Sequence, residues 1–171
     1  MNLLTYCTDG VSDLDLTYCL SKFEESTHVD SCEVVSEKDK VESDVRETYT
    51  VDSGLGEIQV ENYHGLFLPH HSEVDSYPDK IGEFSDELLS DGGILGCRGN
   101  GVEVLRTTGD LTDRQVSISP DYLKEREQTI GQGIEGEVVV DGKLVTAYNP
   151  EDLPDLVKEL DRKFRRVIVK D

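Results

Sequence analysis

The chain has 171 residues, and its 37 acidic against 17 basic side chains give a formal charge of −20. Such a field opposes binding to phosphate backbones and to anionic membranes, which sets aside nucleic-acid and membrane partners. The length suits one hydrophobic core and implies a single domain over residues 1–171. No stretch approaches the roughly 18 apolar residues of a membrane span.

Two explanations of the acidity compete: a mimic of DNA that blocks a binding protein, and a carboxylate-rich surface adapted to high salt. The acids are scattered through periodic segments and not gathered into a block, which favours the second. The opening "MNLLTYCTDG" lacks a basic start and a long apolar centre, so a cytoplasmic location is expected. Cys7, Cys19, Cys32 and Cys97 contain no CxxC pair and read as free thiols.

In chain order, "NLLTYC" predicts a short apolar strand. "DLDLTYCLSKFEES" predicts a helix with Leu14, Leu16, Leu20 and Phe23 inward, and "HVDSCEVVS" alternates like a strand. Residues 36–57 lack strong patterning and suit an exposed hairpin or loop. "HGLFLP" predicts a second buried strand, "PDKIGEFSDELLSDGG" a helix closed by glycine, "GILGC" a third strand, and "GNGVEVLRTTG" the helix after it. "QVSIS", a short helix near "PDYLKEREQ", a hairpin "EGEVVVDGKLVTAY" turning at Asp141 and Gly142, and a C-terminal helix from "NPEDLPDLVKEL" complete the order. This alternation implies an α/β three-layer sandwich: a mostly parallel central sheet, helices on both faces and a late β-hairpin.

Parallel sheets gather functional groups at the carboxyl ends of their strands, where a sharp strand-to-helix turn projects its residue. Cys97 falls at such a corner, between Gly96 and Gly99, ahead of a helix whose unpaired N–H groups would favour a thiolate. Spacing alone equally allows a small buried apolar residue at a strand end.

Four stretches resemble the ThiJ/PfpI superfamily, a flavodoxin-like family of intracellular proteases, isocyanide hydratases and protein deglycases. They are "VSDLDLTY", "GLFLPHH", "GILGCRGNGVEVL" and "EVVVDGKLVT". The resemblance implies Cys97 as nucleophile and Asp15 as its acid partner. The sequence departs from the family at three places. Arg98 stands where protease-like members have histidine, which removes that base and makes proteolysis by a Cys-His relay unavailable. His70 and His71 replace glycines, which puts the oxyanion site in doubt while offering an imidazole near Cys97. Asn100 stands where proline is common.

The resulting expectation is a cofactor-independent, cysteine-dependent enzyme acting on small carbonyl electrophiles or their adducts in stress protection, of glyoxalase or deglycase type. Cys97, Asp15, His70 and Arg98 are the catalytic candidates, with His71, Gly99 and Asn100 lining the substrate. No metal is expected, because His64, His70 and His71 lack ligand spacing. The alternative is a catalytically eroded binding or redox-sensing protein that reads oxidation of Cys97. The resemblance also implies a homodimer or larger homo-oligomer.

Overall fold

The structure is a computed structural model and describes residues 1–73, 76–106, 114–118, 132–134 and 137–168. Its centre is a seven-stranded sheet. Strand β1 (Asn2–Tyr6) lies in its interior, between β2 (Ser31–Ser36) and β6 (Gly65–Leu68). β5 (Ser53–Gly54) extends the sheet beyond β2, while β7 (Ile94–Arg98), β11 (Leu144–Ala147) and β10 (Val138–Asp141) extend it beyond β6. All neighbours are parallel except the β10–β11 hairpin, which turns at Asp141 and Gly142 with Gly142 at φ +61°. The expected α/β sandwich with a late hairpin is therefore the observed fold.

Helix α1 (Asp13–Glu25) follows β1, helix α2 (Asp79–Ser90) follows β6, and helix α3 (Leu153–Ile168) ends the described chain. α1 starts where Ser12 accepts from the Asp15 N–H at 3.3 Å, with Asp13 and Asp15 at its positive end. α2 closes at Asp91 and Gly92, the latter at φ +82°. Strand side chains alternate between two layers. Leu4, Leu66, Leu95 and Cys97 pack with α2 residues Ile81, Phe84 and Leu88. Leu3, Phe67, Ile94 and Val145 pack with Cys19 and Phe23 of α1 and with Leu156, Leu160 and Phe164 of α3.

The weakly patterned stretch holds a hairpin, one of its two expected forms, in which β3 (Lys40–Glu42) pairs antiparallel with β4 (Thr48–Thr50). Three local expectations change. Leu14 is 54% exposed, and the inner face of α1 is Asp15, Leu16, Cys19 and Phe23. The segment after β7 is a 3-10 helix over Gly99–Arg106, because glycines at 99 and 101 weaken the α conformation. "QVSIS" contributes β8 (Gln115–Ser117), which pairs with β9 (Gln132–Ile134) in a separate ribbon and not with the main sheet. The helix expected near "PDYLKEREQ" lies outside the described residues.

Candidate functional site

The carboxyl ends of β1, β6 and β7 bring together Asp15, His70, His71, Arg98, Gly99 and Asn100. Asp15 sits in the first turn of α1 and is fully buried. Its Oδ2 accepts from Arg98 Nε at 2.6 Å and from the His70 backbone N–H at 2.9 Å. Arg98, 4% exposed, also donates from Nη1 to the Tyr148 carbonyl at 3.2 Å. One guanidinium thus ties the start of α1 to the end of β11 across the sheet. A buried charge pair of this kind needs such extra hydrogen bonds to offset its desolvation. Asp15 Oδ1 remains buried with no hydrogen-bond partner among the described residues.

The corner itself is Gly99, not Cys97. β7 continues through Arg98, and the chain reverses at Gly99 with φ +58°. A Cβ at Gly99 would lie 2.5 Å from His70 Nδ1, so the imidazole fills the space into which a corner side chain would project. At Gly101 a Cβ would come 2.4 Å from the Leu68 carbonyl, so only glycine allows that approach.

Cys97 is one residue before Arg98 and therefore points to the opposite face. Its side chain belongs to the α2-side cluster with no exposed surface, whereas Asp15 lies with Arg98 beyond the sheet. Burial alone pushes the Cys97 thiol well above its usual range, and Arg98 does not act on it. The expected elbow thiolate, activated by a helix end and a neighbouring arginine, is not the observed geometry. The physical reason is register: a two-residue displacement along a strand keeps the face but misses the turn.

The histidines divide between two tasks. His70 is half-buried, and its Nδ1 accepts from the Asn100 backbone N–H at 3.3 Å. Burial, and then the Arg98 charge, lower its pKa, which keeps the ring neutral at pH 7. His71 is fully buried, accepts the Thr8 N–H on Nε2 at 3.1 Å and packs against the rings of Tyr6 and Tyr77. Burial pushes its pKa down to about 3, with the Pro69 backbone opposing and the neighbouring His70 adding to the fall. Asn100 clasps the His71 backbone on both sides, accepting its N–H at 2.9 Å and donating to its carbonyl at 2.6 Å. His71 and Asn100, expected to line a substrate, are committed to holding the loop after β6 against the corner.

Sequence reasoning missed Gly99 as the corner, the Tyr148 carbonyl and the Ser12 cap. The glycines at 99 and 101, bracketing Asn100, were the available signal for the first. Among the described residues no group of three His, Cys, Asp or Glu side chains is placed to hold a metal ion. Nor is any described helix long and apolar enough to cross a membrane.

A mostly parallel sheet with charged groups gathered at its strand ends defines the class as a flavodoxin-like α/β protein. The sequence matches the DJ-1/PfpI family over residues 1–163, and the chain belongs to that family. It is 26% identical over 168 residues to a deglycase of Thermococcus kodakarensis, covering 96% of this chain and all of the relative. It is 27% identical over 124 residues to an uncharacterized Staphylococcus aureus protein, with 70% of this chain and 72% of that protein covered. Solved structures share the fold. Schizosaccharomyces pombe DJ-1 gives a TM-score of 0.82 at 15% identity, covering 99% of this chain and 98% of that one. Drosophila melanogaster DJ-1beta gives 0.81 at 14% identity, covering 95% and 89%.

Proposed function

We propose that this chain is a catalytically eroded DJ-1/PfpI-family protein that binds a small polar ligand non-covalently at its strand ends, without a thiol step. The observation that carries the reading is Gly99. The residue at the sharp turn has no side chain, and the His70 ring lies where one would project. Cys97 is sealed on the other face of the sheet with its thiol protonated, and Cys7 and Cys19 are fully buried with their thiols likewise pushed up by burial. Asp15 Oδ1, desolvated and without a donor among the described residues, is the atom that a ligand hydroxyl or N–H would satisfy. The same burial weighs against reading oxidation of Cys97 as a signal, since oxidation follows thiolate character and access.

The relationship to a deglycase favours a second reading, a cysteine-dependent enzyme acting on 2-oxoaldehydes or their adducts in the cytoplasm. There Cys97 would add to a carbonyl, Asp15 or His70 would move the proton, and water would release a hydroxy acid. That chemistry requires the end of β7 to open.

Methylglyoxal turnover by the wild type and by Cys97→Ala separates the two. The binding reading expects no difference between them. It also expects brief alkylation of the native protein at pH 7 to label Cys32 first, because Cys32 alone among the four thiols is not fully buried and its pKa is raised only to about 11. Turnover that disappears with the Cys97 sulfur, together with preferential labelling of Cys97, would establish the enzyme instead.

A further inference from the structure

Two of the four thiols share one layer of the core. Cys19 lies on the inner face of α1, one helical turn after Asp15. Cys32 is the second residue of β2 and stands in register with Leu3 of β1. Neighbours across parallel strands project to the same side of the sheet, and Leu3 packs in the cluster under α1 and α3 that also holds Cys19. Cys32 packs against that cluster from its margin. Thr5, two residues after Leu3 on the same face, brings its Oγ1 to 3.7 Å from the Cys32 sulfur. Both sulfurs therefore project into the layer between α1 and the β1–β2 pair. Cys32 is close enough to bear on the ionisation of Cys19: burial first, then Asp15 and Cys32, push the Cys19 thiol up, while Arg98 opposes.

Neither remaining thiol shares a cluster with a second cysteine. Cys7 packs with Val11, Leu16, Val34 and Val41, and Cys97 lies on the α2 side. Access within the pair is uneven. β5 pairs with β2 at Val35 and Ser36, beyond Cys32, which stays partly exposed, whereas Cys19 is fully buried. One thiol can meet a reagent, and the other stands behind it.

We propose that Cys19 and Cys32 form a reversible disulfide that staples α1 to β2, closed by exchange with small disulfides. The Cys32 thiolate attacks one sulfur of the small disulfide, which breaks that bond, leaves a mixed disulfide on Cys32 and releases one thiolate to take up a proton. Cys19, deprotonated in turn, attacks the Cys32 sulfur and displaces the second small thiol. The small disulfide is reduced to two thiols and the protein pair is oxidised, so that hydrogens and electrons balance. Burial raises the Cys32 pKa to about 11, which keeps its thiolate scarce and the exchange slow at neutral pH. In a reducing compartment such a bridge is transient, forming when the thiol pool is oxidised. It closes the short loop between α1 and β2, which restricts the unfolded chain, and it fixes α1 one turn from the Asp15–Arg98 pair.

Cystamine is the probe, because its two ammonium groups suit a chain of charge −20. The native full chain is incubated with it at pH 8, the remaining thiols are blocked with iodoacetamide, and the digest is read by mass spectrometry. We expect a peptide linked through Cys19 and Cys32, with Cys7 and Cys97 carrying the alkyl group or remaining free. The linked chain should melt roughly 5 °C or more above the reduced one and return to the lower value with dithiothreitol. Cys19→Ala should stop at a mixed disulfide on Cys32, and Cys32→Ser should leave Cys19 reduced. The linked peptide from the wild type decides the matter even if a variant fails to fold. A wild type that stops at the mixed disulfide, a link through Cys7 or Cys97, or a link between two chains would overturn the proposal. So would a linked form no more stable than the reduced chain, which would place the two residues too far apart for an unstrained bridge.

Discussion

Without the Arg98 guanidinium, the Asp15 carboxylate would stay buried with only the His70 N–H facing it. Arg98→Met is therefore expected to cost about 3–5 kcal/mol, the usual penalty for breaking a buried pair from one side. Asp15→Asn added to Arg98→Met should cost less than the sum of the two single changes by at least about 1 kcal/mol, because the second change removes the uncompensated charge. Urea unfolding of the four proteins measures the cycle, and additive losses would mean that the pair is not coupled. His71 gives a second test. Its folded pKa of about 3 lies below that of an unfolded histidine, so below about pH 6.5 the unfolded chain takes up a proton that the native one refuses. Stability is fully present above that pH and falls by up to about 1.4 kcal/mol per pH unit below it. His71→Gln keeps an acceptor for the Thr8 N–H and should lose this slope between pH 7 and 5.5, where most carboxylates stay ionised. Equal slopes in the two proteins would show that His71 is not the group titrating.

At the scale of elements, the hairpin that joins β3 to β4 carries the only described non-glycine residue at positive φ, Arg46 at +67°. The turn is closed by the Arg46 N–H donating to the Ser43 carbonyl at 3.0 Å, a geometry in which glycine is relaxed and a side chain is strained. Arg46→Gly should raise stability by about 0.5–1 kcal/mol, after the loss of an exposed ion pair with Glu42 and the greater freedom of the unfolded chain. Arg46→Val, with its branched Cβ, should lower it; thermal melts of both variants decide. The same scale shows what the sequence could convey. Strands such as "HGLFLP" and the Asp141–Gly142 hairpin were legible because apolar runs and turn residues act locally. α1 was placed correctly with Leu16, Leu20 and Phe23 inward, but Leu14 faces out and Asp15 was missed, because periodicity treats a carboxylate as outward and Asp15 turns inward to meet a residue 83 positions away. Cys97 drew attention as chemistry while strand alternation already set it on the face opposite Arg98. A buried arginine at a strand end is invisible to hydropathy, and without it the corner at Gly99 cannot be told from one at Cys97.

For the whole molecule, the excess of carboxylates should set the response to salt. Self-repulsion at charge −20 is relieved by screening, so the melting temperature should rise as salt is raised from about 0.01 M toward about 1 M. A flat or falling curve, measured at protein concentrations too low for self-association, would argue against an acidity tuned to salt. The order of the sheet has a further consequence, for biosynthesis. β1, which precedes every other strand of this sheet in the chain, ends up in the interior of the sheet, and its β6 partner at Gly65–Leu68 emerges some sixty residues later. At roughly 5–20 residues per second, β1 would wait several seconds with one apolar edge unpaired. The capped helix α1 and the neighbouring β2 follow it directly and can shield part of that strand while synthesis continues. Nascent chains stalled before residue 65 should therefore be the most prone to aggregation and to chaperone capture, and chains stalled after residue 98, with β6 and β7 both available, markedly less so.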